Sequence, residues 1–198
     1  MLKRIFDIIC SLMGIITLLP LFFLIALWIK IDSKGPIFFR QERVGRYGRS
    51  FCIHKFRTMR VNSENEGRLT IGNDDRITYS GYFLRKSKLD ELPQLIDVFI
   101  GRMSLVGPRP EVKEFIDCYP EGVKQKVLSI RPGITDRASI EMVDENDILA
   151  KYAEPRKAYI EHILPIKQQY YVAYVDKHNL LTDICIIFDT FLKIVKRS

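Results

Sequence analysis

Residues 8–29 read IICSLMGIITLLPLFFLIALWI, a stretch without a single charge. Coiled as a helix at 1.5 Å per residue it would rise roughly 33 Å, about the thickness of the hydrocarbon core of a bilayer. A secretory signal has a shorter apolar region and a small-residue cleavage site. This run passes directly into Lys30-Ile31-Asp32 and is expected to stay in the protein. Pro20 lies within it, where it withdraws a backbone donor and crowds the preceding turn, so a kink is expected there. Cations flank the run on both sides: Lys3 and Arg4 before it, and Lys30, Lys34, Arg40, Arg43, Arg46 and Arg49 after it. Positive flanks favour the cytoplasm, and a helix bent at Pro20 that enters and leaves by one face satisfies both. A single-pass anchor with a tolerated proline fits these physical features equally well.

Beyond Gly35-Pro36, residues 37–59 read IFFRQERVGRYGRSFCIHKFRTM. Two short apolar runs flank a basic segment that holds Gly45 and Gly48, which predicts a β-hairpin or paired loop structure. Residues 62–75 are polar, contain glycine and have no period, and read as a mobile loop. Asp90-Glu91-Leu92-Pro93-Gln94 has the form of a helix start, with Asp90 as N-cap and Pro93 in the first turn. Leu92, Leu95, Ile96 and Phe99 follow at helical spacing, and Gly101 is a reasonable stop. Residues 104–110, SLVGPRP, hold too many prolines for regular structure and predict an extended, rigid loop. Residues 111–119 and 121–129 look helical, and Arg131-Pro132-Gly133 breaks the pattern. Near the end, Leu180, Leu181, Ile184, Ile187, Phe188, Phe191, Ile194 and Val195 share one face of a helix whose last turns carry Lys193, Lys196 and Arg197. Such a helix suits a core or a membrane surface, and the apolar N-terminus favours the surface.

With 198 residues, of which 47% are hydrophobic and 28% charged, the chain can bury one compact core and little more. The expected division is a membrane-associated helix at residues 1–32 and a single domain at 33–198. A formal charge of +7 predicts attraction to nucleic acid, anionic lipid or phosphorylated substrates. Cys10, Cys52, Cys118 and Cys185 have no paired spacing, which argues against a disulfide framework or zinc site. His54, His162 and His178 stand in no metal or nucleophile pattern and read as core or surface residues.

In isolation, Asp90-Glu91 reads as an acidic pair in a first helical turn. Its company changes that reading. Lys3-Arg4-Ile5-Phe6-Asp7, the apolar run with its proline, Ser33-Lys34-Gly35-Pro36, Gln41-x-Arg43-x-Gly45 and Lys55-Phe56-Arg57-Thr58-Met59 come first. Leu89-Asp90-Glu91-Leu92-Pro93-Gln94-Leu95, then residues 103–110 (MSLVGPRP) and Arg131-Pro132-Gly133-Ile134-Thr135, complete the order. From Lys3 to at least Thr135 the chain closely resembles the bacterial sugar transferases of the monotopic phosphoglycosyl transferase superfamily.

The resemblance implies an α+β, mostly helical fold: an N-terminal re-entrant membrane helix bent at Pro20, amphipathic interfacial helices and a small β-hairpin around a compact catalytic core. It implies the minimal catalytic form, held at the cytoplasmic face of the bacterial inner membrane. The activity it implies is transfer of a sugar 1-phosphate from a UDP-sugar to polyprenyl (undecaprenyl) phosphate, giving polyprenyl diphosphosugar and UMP. This is a first membrane step of glycan assembly, with downstream glycosyltransferases as possible partners. By position, Asp90 attacks the β-phosphorus and holds the sugar phosphate covalently, with Glu91 beside it. Mg²⁺ is the implied cofactor, held by Asp90 and Glu91. A carboxylate at a helix N-terminus is expected to stay ionised through backbone N–H groups and the dipole. Arg85 matches a family arginine, Arg109 is held between two prolines, and Lys55 and Arg57 are further candidates for binding the diphosphate.

Two departures stand out. Leu19 replaces the serine that many relatives carry before the membrane proline, which removes a hydroxyl able to bond the freed carbonyls. Asp136-Arg137-Ala138-Ser139-Ile140 replaces a family segment that follows the threonine, and no role is carried onto it. The competing expectations are a non-catalytic membrane scaffold of a glycan-assembly complex, against which the intact Asp90-Glu91 pair with Arg85 and Arg109 argues, and a nucleic-acid binder, which no motif supports.

Overall fold

The computed structural model describes residues 1–61, 63, 74–142 and 144–197, so most of the loop expected at 62–75 lies outside the described residues. The apolar run lies within α1 (Leu2–Asp32), a helix of 31 residues that Pro20 does not end. Among the described residues it is the one helix long and apolar enough to cross a membrane. Thr17 donates its hydroxyl to the Met13 carbonyl one turn ahead of the proline.

Both ends of α1 are tied to the rest of the chain. At the start, Lys3 pairs with Asp183 and donates to the Val106 carbonyl at 3.1 Å. Arg4 donates to the carbonyls of Val98 at 2.7 Å and Phe99 at 3.0 Å. The buried Asp7 accepts from the Ser104 hydroxyl at 2.9 Å and the Leu105 amide at 3.1 Å. At the far end, Asp32 accepts from the Ser80 amide at 3.0 Å and hydroxyl at 2.7 Å. Between these ties Ile16, Leu19, Phe23, Leu24 and Leu27 stand exposed.

The predicted hairpin is present as β1 (Phe38–Val44) and β2 (Ser50–Phe56), antiparallel, with Phe38 opposite Phe56 and Val44 opposite Ser50. Its turn places Tyr47 at φ 59° and Gly48 at φ 74°, the left-handed region that the glycine tolerates freely. Phe56 packs beneath α1 with Ile25, Ile29 and Leu84, the last from α2 (Tyr79–Lys86). Burying side chains of this size contributes about 1.5–3 kcal/mol each, which fixes the helix exit on the hairpin. Gly14, nearer the start of α1, packs on Leu95 of α3 (Gln94–Phe99): a Cβ there would lie 3.1 Å from the leucine methyl.

The two segments expected to be irregular because of their prolines contain strands. β3 (Ser104–Val106) pairs in parallel with β4 (Gly133–Thr135). Each strand is three residues long and free of proline, so its amides remain available, and Pro132 contributes only its carbonyl, which accepts from the Ser104 amide at 2.8 Å. The pair is flanked by a backbone approach too close for side chains: a Cβ on Gly133 would lie 2.1 Å from the Gly107 amide nitrogen.

The helices expected over 111–119 and 121–129 are shorter, α4 (Lys113–Ile116) and α5 (Glu121–Val127). After β4 come α6 (Arg137–Glu141), α7 (Glu145–Leu149), α8 (Pro155–Ala158) and, beyond a π-turn at Tyr159–Ile163, α9 (Leu164–Lys177). They enclose the main core, built from Val112, Phe115, Tyr119, Val127, Ala138, Leu149, Tyr159, Leu164 and Tyr171. The last helix, α10 (Leu180–Arg197), turns Asp183 and Ile186 inward and leaves Leu181, Ile184, Phe188, Phe191 and Val195 exposed. Its apolar stripe therefore faces out of the core. The fold is the expected mostly helical α+β arrangement, with a long apolar N-terminal helix and small sheets.

Candidate active site

The acidic pair sits where three elements meet. Thr78 caps α2 by accepting from the Gly81 amide, and the helix brings Arg85 to its last turn. Lys88, at φ 57°, then reverses the chain into a 3₁₀ turn, Leu89–Glu91, and Pro93 leads into α3. Asp90 is therefore not the N-cap of that helix. Pro93 occupies the capping position, and the carboxylate makes no capping bond.

Asp90 is buried, and nothing among the described residues donates a hydrogen bond to its carboxylate. Burial and the neighbouring Glu91 push its pKa above the ordinary aspartate value, against the pull of Lys55, Lys88 and Arg85. The expectation that helix N–H groups keep this group ionised is thus replaced: fixed cations oppose its protonation, and burial works against them.

Glu91 is held very differently. Lys55 of β2 donates to it at 2.6 Å. Arg109, in the loop after β3, reaches it with both terminal nitrogens, one to Oε2 at 3.2 Å and the other to Oε1. Burial alone would raise the glutamate, but Arg109 and Lys55 outweigh it and hold its pKa well below the usual range. Glu91 in turn drives the Arg109 guanidinium further toward the charged form, whereas burial lowers the Lys55 pKa despite Glu91. Asp90 and Glu91 are adjacent in sequence yet pushed in opposite directions, which separates an open carboxylate from an ion-paired one.

The other predicted site residues divide. Arg85 donates Nε–H to the Thr58 hydroxyl at 2.9 Å and stands among the charges that act on Asp90, so it belongs to the site. Arg57 turns away. Its guanidinium donates to the Ser33 carbonyl at 2.7 Å, the Ser33 hydroxyl at 2.9 Å and the Lys34 carbonyl at 2.7 Å. It closes the carbonyl end of α1: Arg57 lies just past the end of β2, where the alternation that would keep it on the face of Lys55 no longer governs it. Gly35 makes room for it: a Cβ there would lie 1.8 Å from the guanidinium.

Arg43 and Gln41, quoted with the motifs but given no role, are part of the arrangement. Arg43 donates to the Pro110 carbonyl at 3.1 Å and to Gln41, and stands 3.8 Å from Glu111. It thereby steadies the Pro108-Arg109-Pro110 loop. The signal was the Gln41-x-Arg43 spacing, which puts both on one face of a strand. Asp136, from the departing segment, caps α6 by accepting from the Ser139 amide at 3.0 Å, and burial raises its pKa although Arg109 pulls it down.

Among the described residues no three acidic, histidine or cysteine side chains gather as a ready-made metal cage. Mg²⁺ typically takes one or two carboxylates and fills its shell with water and substrate phosphate oxygens. The open Asp90 carboxylate fits that pattern as a protein ligand. Glu91, with its oxygens engaged by Lys55 and Arg109, serves as their counter-charge in this arrangement.

Residues 1–197 match the family described as bacterial sugar transferase. A UDP-N-acetylgalactosamine-undecaprenyl-phosphate N-acetylgalactosaminephosphotransferase of Aeromonas hydrophila is 36% identical over 98% of this chain and 44% of its own length. An undecaprenyl-phosphate galactose phosphotransferase of Salmonella typhimurium is 35% identical over 100% of the chain and 41% of its own length. The exopolysaccharide production protein ExoY of Sinorhizobium fredii is 35% identical over 95% of the chain and 83% of its own length. The chain thus spans less than half of the first two relatives and most of the third. With a match that runs through the apolar helix, the hairpin, the Asp90-Glu91 turn and the Arg109 loop alike, the chain belongs to the bacterial sugar transferase family.

Proposed function

We propose that this chain transfers a sugar 1-phosphate from a UDP-sugar to polyprenyl phosphate through a covalent intermediate on Asp90. The observation that carries the reading is the open Asp90 carboxylate, flanked by Lys55, Arg85 and the Glu91-held Arg109. An Asp90 oxygen attacks the β-phosphorus, the bond from that phosphorus to the bridging oxygen breaks, and UMP leaves with the electron pair. Arg109, Arg85 and Lys55 hold the diphosphate, and their charges offset what builds on the leaving phosphate. A phosphate oxygen of the polyprenyl carrier then attacks the same phosphorus and expels the Asp90 carboxylate unchanged. The Asp90 carboxylate would help hold Mg²⁺, which would supply Lewis-acid neutralisation of the leaving group.

The same reading places the chain on the cytoplasmic face of the bacterial inner membrane as a monotopic protein with a re-entrant α1. Support comes from the ties at both ends: Lys3, Arg4 and Asp7 at the start and Asp32 at the exit all bind the one domain. A straight span would put those ends on opposite sides of the bilayer. The outward stripe on α10 is suited to lie in the interface beside it. The lipid-linked product would then pass to glycosyltransferases of the same leaflet.

The test is the full chain in lipid nanodiscs with Mg²⁺ and a panel of UDP-sugars, without polyprenyl phosphate. A stoichiometric burst of UMP with the sugar phosphate retained on Asp90, and neither with Asp90→Asn, is the expected result. No adduct, together with intersecting double-reciprocal plots, would replace the covalent route with a ternary-complex reaction.

A further inference from the structure

His54 is the neighbour of Lys55 on β2, but its bonds run away from the pocket. Its backbone N–H donates to Asp97 Oδ2 at 2.8 Å, and its ring Nδ1 lies 2.9 Å from Asp97 Oδ1. Ring Nε2 lies 2.6 Å from a guanidinium nitrogen of Arg40, the residue directly across the hairpin. A guanidinium can only donate, so Nε2 accepts and Nδ1 carries the proton given to Asp97. The tautomer is set by partners from two different elements.

Asp97 is fully buried on α3, the helix that follows the Asp90-Glu91 turn. Its backbone carbonyl accepts from the amides of Arg102 at 2.9 Å and Met103 at 3.1 Å, and the Arg102 guanidinium stands 3.9 Å from Oδ1. One buried carboxylate therefore joins the hairpin to the helix. Ile53 on Val98 and Met103 holds the same two layers together, but apolar contact is non-directional and sets no register. Paired hydrogen bonds to a buried acceptor do set one.

We propose that the Asp97–His54 pair, with Arg40 holding the imidazole, is the positioning device that places Lys55 on Glu91 and on the donor's diphosphate. Lys55 and Glu91 lie on separate elements and meet at 2.6 Å, and this pair fixes one element against the other beside that contact. The inference rests on the function proposed above.

The test compares His54→Leu, His54→Asn and Lys55→Met, alone and as the His54→Leu/Lys55→Met double variant, in the full chain in nanodiscs. His54→Leu is expected to lower kcat/KM for the UDP-sugar about tenfold, a cost of misplacement, with KM for polyprenyl phosphate within about twofold. His54→Asn, whose side-chain amide can donate from near the Nδ1 position, is expected to recover most of the loss. In the Lys55→Met background His54→Leu should cost nothing more, because its effect acts through the lysine. Calorimetric titration of inorganic pyrophosphate gives a second reading, expected to weaken in His54→Leu and to weaken no further in the double variant than in Lys55→Met. Equal pyrophosphate affinity in wild type and His54→Leu, or losses that add in the two backgrounds, overturns the proposal. Normal pyrophosphate linkage with no UMP released from any UDP-sugar would leave the device standing and refute the proposed reaction instead.

Discussion

Replacing Arg109 with lysine keeps the charge and removes the fork. The guanidinium makes two bonds to Glu91, one from each terminal nitrogen, and its remaining N–H groups, held in the same plane, are left for an incoming phosphate. An ammonium at the end of a flexible stem matches one of them at a time. A hydrogen bond to a charged partner contributes about 1.5–3 kcal/mol, and each ~1.4 kcal/mol of lost transition-state stabilisation is tenfold in rate. Arg109→Lys is therefore expected to lower kcat/KM for the UDP-sugar by about 10- to 100-fold. The lower end is the firmer figure, because the Arg109 side chain keeps 28% of its surface exposed and water screens part of the gain. UMP release by the variant in nanodiscs measures this, with membrane partitioning and thermal unfolding as controls for the fold. Turnover within about threefold of wild type, in a folded variant, would refute the clamp and leave Arg109 as a structural partner of Glu91.

Because attack requires the Asp90 carboxylate ionised and its pKa is raised, UMP burst rates should fall with acid at a pH above the ordinary aspartate range. Glu91→Gln removes the like charge beside it and leaves Lys55, Lys88 and Arg85 to act on it, so the acidic limb of the pH–rate profile should move to lower pH; movement to higher pH would reverse the assigned coupling. Gly35→Ala drives a Cβ to within 1.8 Å of the Arg57 guanidinium at φ +135°, and urea unfolding should show a loss of about 1–3 kcal/mol. Asp7→Ala strips the acceptor from the Ser104 hydroxyl and the Leu105 amide. A loss of about 1–3 kcal/mol per orphaned donor should lower the melting temperature by several degrees, and an unchanged melt would show that water replaces the carboxylate.

Local pattern made the hairpin legible: two apolar runs flanking a basic segment with Gly45 and Gly48 are a property of neighbouring residues, and Phe38 does meet Phe56. The length and charge-free character of residues 8–29 likewise predicted a long apolar helix. The parallel pairing of Ser104–Val106 with Gly133–Thr135 was illegible because each strand is three residues long and wedged among prolines, too short to show a period. Its existence depends on the approach of Gly107 to Gly133 across the fold, a fact about distance that no local window contains.

The site was read with the same division. Asp90, Glu91, Arg85, Arg109 and Lys55 come together as the motifs predicted. Asp90 missed its capping role because a left-handed residue, Lys88, tightens the turn ahead of it, and nothing in a lysine announces positive φ. Arg57 was read as a phosphate ligand because it shares a run with Lys55. Its partners are carbonyls at the end of α1, and helix ends buried in tertiary contacts recruit whatever donor the fold brings near. His54 looked bland because its significance lies in Asp97 and Arg40, neither of which forms a recognisable spacing with it.

The ties at the two ends of α1 also differ in when they can form. Asp32 meets Ser80 across 48 residues, a loop short enough to close while later residues are still being made. Lys3 must wait for Asp183, 180 positions later and within the final helix. During synthesis the exit of α1 can therefore be latched first, its start next by the Arg4 and Asp7 bonds to residues 98–105, and the Lys3–Asp183 pair last. A chain cut short before α10 would keep the Asp90-Glu91 pocket and the Arg4 and Asp7 ties and lose only the carboxylate that pairs with Lys3, so α10 adds the latest-made of several holds on how residues 3–7 sit.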